Sequence, residues 1–456
     1  MKLFGLDLGT TTICGAVLDA AEGRIVFLQT ERNPASVPGS EPWESIQDPD
    51  AVVRTALRIL EKALEAHGDA GGIGVACQMH GILYVDHAGN AVSPLYTWED
   101  GRGDLPFHGG TYASFVSASL GQQVSTGMGA VTHYVNARTG RVPATAQFLC
   151  TVGDYLVMKL TGRRAPVMDT TCAASIGGFD LEKLAFSRER LEAIGCDPSL
   201  FPEVAPSYPA LGETPPGVPV FSAMGDNQAS FLGSVSDTRR MALVNVGTGS
   251  QISLFVPHFR EIHGLDLRPL PFGGYIGVGA GLCGGRAYGA LREFFQRTVK
   301  LVTGRDQEVP WEVMNGMTPL TPGDPLTVDT RFAGTRLSPG IRGSITNIGL
   351  SNLTPEHFAA GVRDGIVSEL LGFYGLFDPA EREQVVRLVG SGNAIRLNEQ
   401  LRRAFEAGFA MPLRVPRHRE ETSFGAALVA GVAAGAIPDL AAAGALVRYE
   451  VQSAAM

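Results

Sequence analysis

Two hairpin tips of similar composition set the frame for this chain. The first lies in Met1 to Asp19, MKLFGLDLGTTTICGAVLD: an apolar run ends in Asp7, Leu8-Gly9-Thr10-Thr11-Thr12 turns, and Ile13 to Leu18 leads away. The second comes more than two hundred residues later, where Met241 to Val246 meets Gly247-Thr248-Gly249-Ser250 and the chain returns through Ile252 to Val256. Two apolar runs joined by such a turn predict a β-hairpin whose tip exposes backbone N–H groups and hydroxyls. Converging donors of that kind hold anions, so each tip suits a polyphosphate. Asp7, where its strand ends, is placed to hold a divalent cation through water. One such hairpin reads equally well as an ordinary sheet edge. The pair predicts two domains of similar topology gripping one phosphate chain from both sides.

A chain of 456 residues can bury a large core and is expected to hold two domains. With 45% hydrophobic and 18% charged residues, it reads as an ordinary globular protein. A net charge of −9 disfavours nonspecific nucleic-acid binding, so a nucleotide site has to be local. Cys14, Cys77, Cys150, Cys172, Cys196 and Cys283 lack C-x-x-C spacing, which argues against a metal cluster or disulfide framework and for the reducing cytoplasm. Asp7 interrupts the first apolar run and no cleavage pattern follows, so no signal peptide is read. Ser423 to Ile437, stopped by Pro438-Asp439, is too short to span a bilayer and reads as a buried helix, so no membrane partner is expected.

Arg24 to Thr30 reads as a third strand. Asp48-Pro49-Asp50 then opens a helix whose buried face is Val53, Leu57, Leu60 and Leu64. A strand, Ile73 to Cys77, runs into Gln78-Met79-His80-Gly81. That segment and Leu95-Tyr96-Thr97-Trp98-Glu99-Asp100-Gly101-Arg102 collect a His, carboxylates, an Arg and an indole face, the groups that recognise a polyol. Each has a plainer reading: His80 as a strand-end histidine, Trp98 as a core aromatic, Asp100 and Arg102 as a surface ion pair. Residues 105–145 carry little pattern. A helix is expected over Ala146 to Leu160 and a loop over Asp169 to Ser175. Seven prolines, Pro198, Pro202, Pro206, Pro209, Pro215, Pro216 and Pro219, predict a crossing between domains. Val218 to Ala223 reads as a strand, and Gly225 turns the chain so that Asp226 lands at a helix start. A carboxylate there accepts a proton from a substrate hydroxyl, or simply caps the helix.

Gly279 to Gly285, GAGLCGG, precedes a helix from Ala287 to Lys300. Phe332-Ala333-Gly334-Thr335-Arg336 and Arg342-Gly343 lie in loops before a helix begun by Thr354-Pro355-Glu356. Val385 to Val389, Gly390-Ser391-Gly392-Asn393 and a helix through Phe405 follow. Strand, glycine turn and helix N-terminus form a nucleotide-binding geometry or a plain βα connection.

Taken in order, DLGTTT, QMHG, TWEDGR, GDNQAS, NVGTGS, FAGTR…RG and GSGN…E-x-x-x-GAA resemble the motifs of the FGGY carbohydrate kinases over nearly the whole chain. Within that family they are most similar to the sedoheptulokinases, with the xylulokinases next. The resemblance implies an α/β fold class: two ribonuclease-H-like (actin-like ATPase) domains with an interdomain cleft, residues 1–220 on the sugar side and 221–456 on the nucleotide side. It implies transfer of the γ-phosphoryl group of ATP, with Mg2+, to a terminal hydroxyl of a ketose. By position, Asp226 matches the catalytic base and Asp7 the metal-associated carboxylate. Thr10 and Thr11 match one phosphate hairpin, and Gly247, Thr248 and Gly249 the other. Gly285, Gly392 and Asn393 match places bordering the nucleotide. Met79, His80, Asp100, Arg102 and Asn227 match sugar-side positions. The partners implied are a small-molecule sugar and ATP, with no nucleic acid and no membrane, and homodimers occur in the family.

Two departures stand out. Many relatives carry Lys or Arg where this chain has Cys14, at the exit of the first hairpin. The segment near residues 127–139, usually bearing Lys and Trp, here reads GMGAVTHYVNART, so Thr132 or His133 is expected to face the sugar. Two other readings stay open: an ATP-driven conformational protein of the actin or Hsp70 kind, and a relative that has lost catalysis and senses a sugar.

Overall fold

The computed structural model describes all residues except 69, 206, 207, 320–322, 336, 337, 339 and 452–456, so Pro206 and Arg336 lie outside the described residues. The chain opens with β1 (Lys2–Leu8), β2 (Thr12–Asp19) and β3 (Arg24–Arg32), paired antiparallel in sequence order. Helix α1 (Pro49–His67) starts where Asp48 accepts a hydrogen bond from Asp50 N and Pro49 occupies the first turn. Strand β4 (Ala70–Cys77) then lies parallel to β1. The weakly patterned region that follows contains α2 (Tyr112–Leu120) and α3 (Gly129–Arg138). The expected helix over 146–160 is divided: Phe148–Cys150 is a strand and α4 (Val152–Thr161) begins only after it. A reciprocal cap between Thr151 and Asp154 sets that start. The loop expected at Asp169 to Ser175 is a helix, α5 (Thr170–Ile176), with Asp169 accepting from Thr171 N.

The proline-rich stretch does not cross between domains. It feeds β5 (Ala210–Glu213) and β6 (Pro219–Gly225), which complete the first sheet in the order β5-β6-β4-β1-β2-β3. The expected division between residues 220 and 221 therefore falls inside a strand of that sheet. Helix α6 (Asp226–Ser234) follows, and the chain first passes to the second sheet between Val235 and Arg240.

The second sheet repeats the plan. It is built from β7 (Met241–Val246), β8 (Ser250–Val256), β9 (Asp266–Pro269) and β10 (Tyr275–Gly281). After α7 (Gly285–Thr303), α8 (Trp311–Gly316) and α9 (Pro355–Tyr374) come β11 (Arg387–Ser391), α10 (Asn393–Leu397), α11 (Glu399–Phe409) and β12 (Leu413–Arg414). The order is β9-β10-β8-β7-β11-β12. In both sheets three strands pair antiparallel in a row (β1-β2-β3 and β7-β8-β10) and two more lie parallel to the first of them (β4 and β6; β11 and β12), the plan of a ribonuclease-H-like domain, with β5 and β9 as added antiparallel edge strands. The helix expected after the Gly390–Asn393 turn and through Phe405 starts at Asn393 itself and breaks at Asn398, which ends α10 and caps α11 through Leu401 N.

The last long helix, α12 (Glu421–Ala433), comes from the second half of the chain yet packs on β1, β4 and α6 of the first unit. Its backbone approaches the sheet so closely that a Cβ at Gly5 or Gly74 would run into the carbonyls of Ser423 and Ala426. Strand β1 is apolar almost throughout because it is covered on both faces, by α1 and by α12. A shared core joins the units: Met224, Phe231 and Leu232 pack with Val429 and Ala430 of α12 and with Leu243, Ile276 and Val389 of the second sheet. All six cysteines are buried free thiols. No helix among the described residues is long and apolar enough to cross a membrane.

Candidate active site

Strands β1, β4 and β6 are parallel neighbours, with Leu8 opposite Cys77 and Cys77 opposite Gly225. Their loops therefore leave one sheet edge together: Gly9-Thr10-Thr11, Gln78-Met79-His80 and Asp226-Asn227. The carboxyl ends of parallel strands are where open α/β sheets take ligands. The second sheet does the same. Asn245 lies opposite Ser391 and donates to its hydroxyl at 2.8 Å, so the tip at Gly247 and the turn at Gly392-Asn393 share an edge.

The first tip is braced on three sides. Trp98 Nε1 donates to Thr10 Oγ1 at 2.9 Å, Gln47 Nε2 to the Thr10 carbonyl at 2.8 Å, and Asn33 Nδ2 to the Gly9 carbonyl at 3.0 Å. Thr11 is exposed beside it. Trp98 is no core aromatic: it is 48% exposed, so its ring offers a face to a ligand. Met79 is buried against the start of α6. A Cβ on Gly225 would come within 2.7 Å of Met79 Sδ, which explains the glycine there. His80 Nδ1 lies 2.8 Å from the Ser175 carbonyl, an acceptor, so Nδ1 carries the ring proton.

Asp100 and Arg102 are not a surface ion pair. Both side chains are fully buried. Arg102 Nε donates to Asp100 Oδ1 at 2.6 Å and Nη2 to Oδ2 at 3.1 Å. Its guanidinium also bonds Asn136 and lies 4.1 Å from the Tyr96 ring centroid. Asp100 also accepts from Ser45 N at 3.2 Å. The pair thus sits behind the loop that presents Trp98. Thr132 and His133, one or the other of which is expected to face the sugar, are both buried within the first unit. His133 meets the Tyr84 hydroxyl at 2.9 Å, and burial lowers its pKa to about 4. Gly127, in that segment, packs against the Trp98 backbone where no Cβ fits.

Asp226 is the first residue of α6. Burial raises its carboxyl to about 6, against the opposing pull of Arg268 on β9. Asp7 is held well above the usual carboxylate range, first by burial and then by the charges of Asp226 and Glu420. The first unit therefore closes on three carboxylates. Three acceptor atoms here, Asp7 Oδ1, Asn227 Oδ1 and Gln228 Oε1, are buried without a hydrogen-bond partner. Opposite Asp7 in the hairpin, Cys14 is a buried thiol raised to about 11, with Sγ 3.5 Å from Ser423 Oγ and 3.4 Å from Thr30 Oγ1.

The second unit holds a cavity of ≈ 1210 Å³ whose walls include Gly247, Thr248, Gly285, Gly392 and Asn393. Five of the residues expected at the nucleotide thus line one space. Gly249 closes the tip from behind, its carbonyl accepting from Gly247 N at 3.0 Å. Gly285 N donates to the Gly247 carbonyl at 2.8 Å and Arg286 N to that of Thr248 at 3.0 Å, which ties the start of α7 to the tip. Gly392 has φ 85°, and a Cβ there would sit 2.7 Å from the Val246 carbonyl, so glycine is required. Thr10 and Thr11 belong to the other tip, on the first unit.

No group of three or more His, Cys, Asp or Glu side chains suited to a metal occurs among the described residues. The partnerless Asp7 oxygen instead fits Mg2+, a hard ion that keeps several waters and takes its remaining ligands from phosphates. Neither Glu420 nor Arg268 is singled out by the sequence. Nothing local marks Arg268, since β9 reaches Asp226 only through the packing of the two units.

The N-terminal domain of the FGGY family of carbohydrate kinases matches residues 3–233. The chain is 29% identical over 469 residues to sedoheptulokinase of Mus musculus, covering 93% of this chain and 96% of that one. It is 27% identical over 471 residues to sedoheptulokinase of Homo sapiens, again covering 93% and 96%. In fold it is similar to xylulose kinase from Rhodospirillum rubrum, with a TM-score of 0.83 over 99% of this chain and 93% of that one, at 21% identity. A match over half the chain, together with two sheets of one plan, makes this protein a member of the FGGY family of carbohydrate kinases, with an actin-like ATPase fold.

Proposed function

We propose that this carbohydrate kinase phosphorylates the terminal primary hydroxyl of a ketose, with sedoheptulose as substrate and sedoheptulose 7-phosphate as product. The observation that carries the site is the cluster around Asp226: a carboxyl raised to about 6 beside three buried acceptors without partners. Leaving such acceptors unpaired costs about 1–3 kcal/mol each, and hydroxyl donors on a sugar or metal-bound waters would satisfy them. The likeness to mouse and human sedoheptulokinases supports the choice of sugar.

In this reading the sugar lies on the first unit, against the exposed face of Trp98 and beside Met79, His80 and Asn227. ATP lies in the second-unit cavity with its phosphates at Gly247-Thr248. The sugar unit extends through α6 and the nucleotide unit begins beyond it. Asp226, ionised at neutral pH, orients the hydroxyl and takes its proton as the bond to phosphorus forms. The two tips direct backbone donors and the Thr10, Thr11 and Thr248 hydroxyls at the transferring group. Asp7 would hold Mg2+ through water; bound there, the ion neutralises charge on the β- and γ-phosphates. Little covalent work falls to the protein, so alignment and charge stabilisation carry the rate. Asp100 and Arg102 act indirectly, by fixing the loop that presents Trp98.

The deciding experiment is a coupled ADP-release assay over a panel of ketoses, aldoses and polyols. The highest kcat/KM is expected for sedoheptulose. A higher value for xylulose reassigns the sugar, and ADP release that ignores every sugar removes the kinase reading in favour of a conformational ATPase.

A further inference from the structure

We propose that Arg286 is the cationic side chain that binds the phosphates of the nucleotide in this kinase. The inference rests on the nucleotide occupying the second-unit cavity. Charge around the two tips is unequal. On the first unit, the charges of Asp226 and Glu420 both act on Asp7, and the hairpin residue facing Asp7 is the neutral, buried Cys14. A polyphosphate brought to that wall meets carboxylates, so its cationic side-chain partner has to come from the second unit.

Among the described residues lining the cavity, four are charged: Arg286, Glu312, Arg363 and Glu399. Arg363 is buried and already engaged, donating to the Met317 carbonyl at 2.8 Å and the Tyr288 hydroxyl at 3.3 Å. It holds the wall. Arg286 is exposed, and its guanidinium makes no hydrogen bond or ion pair with any described residue. It is also well anchored. It is the second residue of the 19-residue helix α7, and its backbone N is tied to the Thr248 carbonyl at 3.0 Å. The side chain therefore springs from a backbone fixed to the phosphate-binding tip. The positive end of α7 adds to the attraction for an anion. A guanidinium can take two phosphate oxygens at once, which an ammonium cannot reproduce.

The test is calorimetric titration of ADP and of adenosine into the full chain and its Arg286→Ala and Arg286→Lys variants, with ATP and sugar KM measured alongside. Charge-assisted hydrogen bonds of this kind correspond to about a 10- to 100-fold change in binding. Arg286→Ala should weaken ADP by that factor and raise KM for ATP, while adenosine affinity and sugar KM stay within about twofold. Arg286→Lys should fall between. Equal ADP affinity in the wild type and Arg286→Ala overturns the proposal, as does an equal loss for ADP and adenosine, which would mark a structural effect. Failure of the wild type to bind ADP would sink the nucleotide reading of the cavity itself. Thermal unfolding of each variant reports whether the fold is intact, and Arg286→Lys carries the test if Arg286→Ala does not fold.

Discussion

Replacing Asp226 by Asn removes the proposed base while keeping the shape of the side chain. Two consequences of opposite sign follow. Loss of a well-placed base slows turnover by about 10²–10⁴-fold, with binding of sugar and ATP largely kept. The pH profile should change as well. With its carboxyl at about 6, Asp226 is charged at neutral pH and protonated in acid, so wild-type kcat/KM should fall below about pH 6. Asp226→Asn should lose that inflection. Stability should move the other way. A carboxyl raised from 3.8 to about 6 by burial favours the protonated native state, so its contribution is fully present below 3.8 and is lost as pH rises through 6. At neutral pH the ionised form thus costs the native state on the order of 2–3 kcal/mol, and the neutral amide avoids most of this. Asp226→Asn should therefore unfold at equal or higher urea than the wild type at pH 7.5 while turning over at least tens-fold more slowly. The assays are coupled ADP release from pH 5 to 9 and urea unfolding at two pH values. Near-normal turnover, or an acid limb that survives the substitution, would refute the assignment of Asp226 as base.

Asp7→Asn should raise the Mg2+ concentration needed for half-maximal rate by about tenfold, read from a metal titration of the ADP-release rate; an unchanged midpoint removes Asp7 from the metal. Arg102→Ala leaves Asp100 buried and uncompensated, and should cost about 3–5 kcal/mol in urea unfolding. A variant of wild-type stability with a raised sugar KM would instead place Arg102 against the sugar. Burial raises Asp154 to about 7 and Asp169 to about 6, so their contribution to stability is present below 3.8 and lost as pH rises through those values. The urea midpoint should accordingly fall between about pH 5 and pH 8, and Asp154→Asn, which preserves the cap with Thr151, should flatten the upper part of that slope.

Local chemistry was enough to find the parts of this protein that depend on neighbours in the chain. An apolar run ending in Asp7, a glycine and threonine turn and a second apolar run already specify a hairpin. The same pattern at Gly247-Thr248-Gly249 identifies its counterpart. The Asp48-Pro49 helix start and the Thr354-Pro355 start were legible for the same reason, since caps act within one turn. Order of motifs carried the family. The misread stretches are those where a short cap outweighed composition: Thr151 with Asp154 delays a helix, and Asp169 starts one where a loop was expected. Proline content likewise says that no long helix forms between Pro198 and Pro219, but not which sheet the stretch joins.

Tertiary structure alone decided which side chains meet. Residue periodicity reports that a face is buried and is silent on what covers it. The register of β1, β4 and β6 brings Thr10, Met79 and Asp226 to one edge, and the small residues of α12 let Glu420 descend beside Asp7 from the far end of the sequence. Burial placed Asp100 and Arg102 together as a fully buried ion pair rather than a surface one. Packing also left Arg286 exposed on the wall of the second-unit cavity. Contacts between segments hundreds of residues apart depend on packing geometry, and no local pattern encodes that geometry.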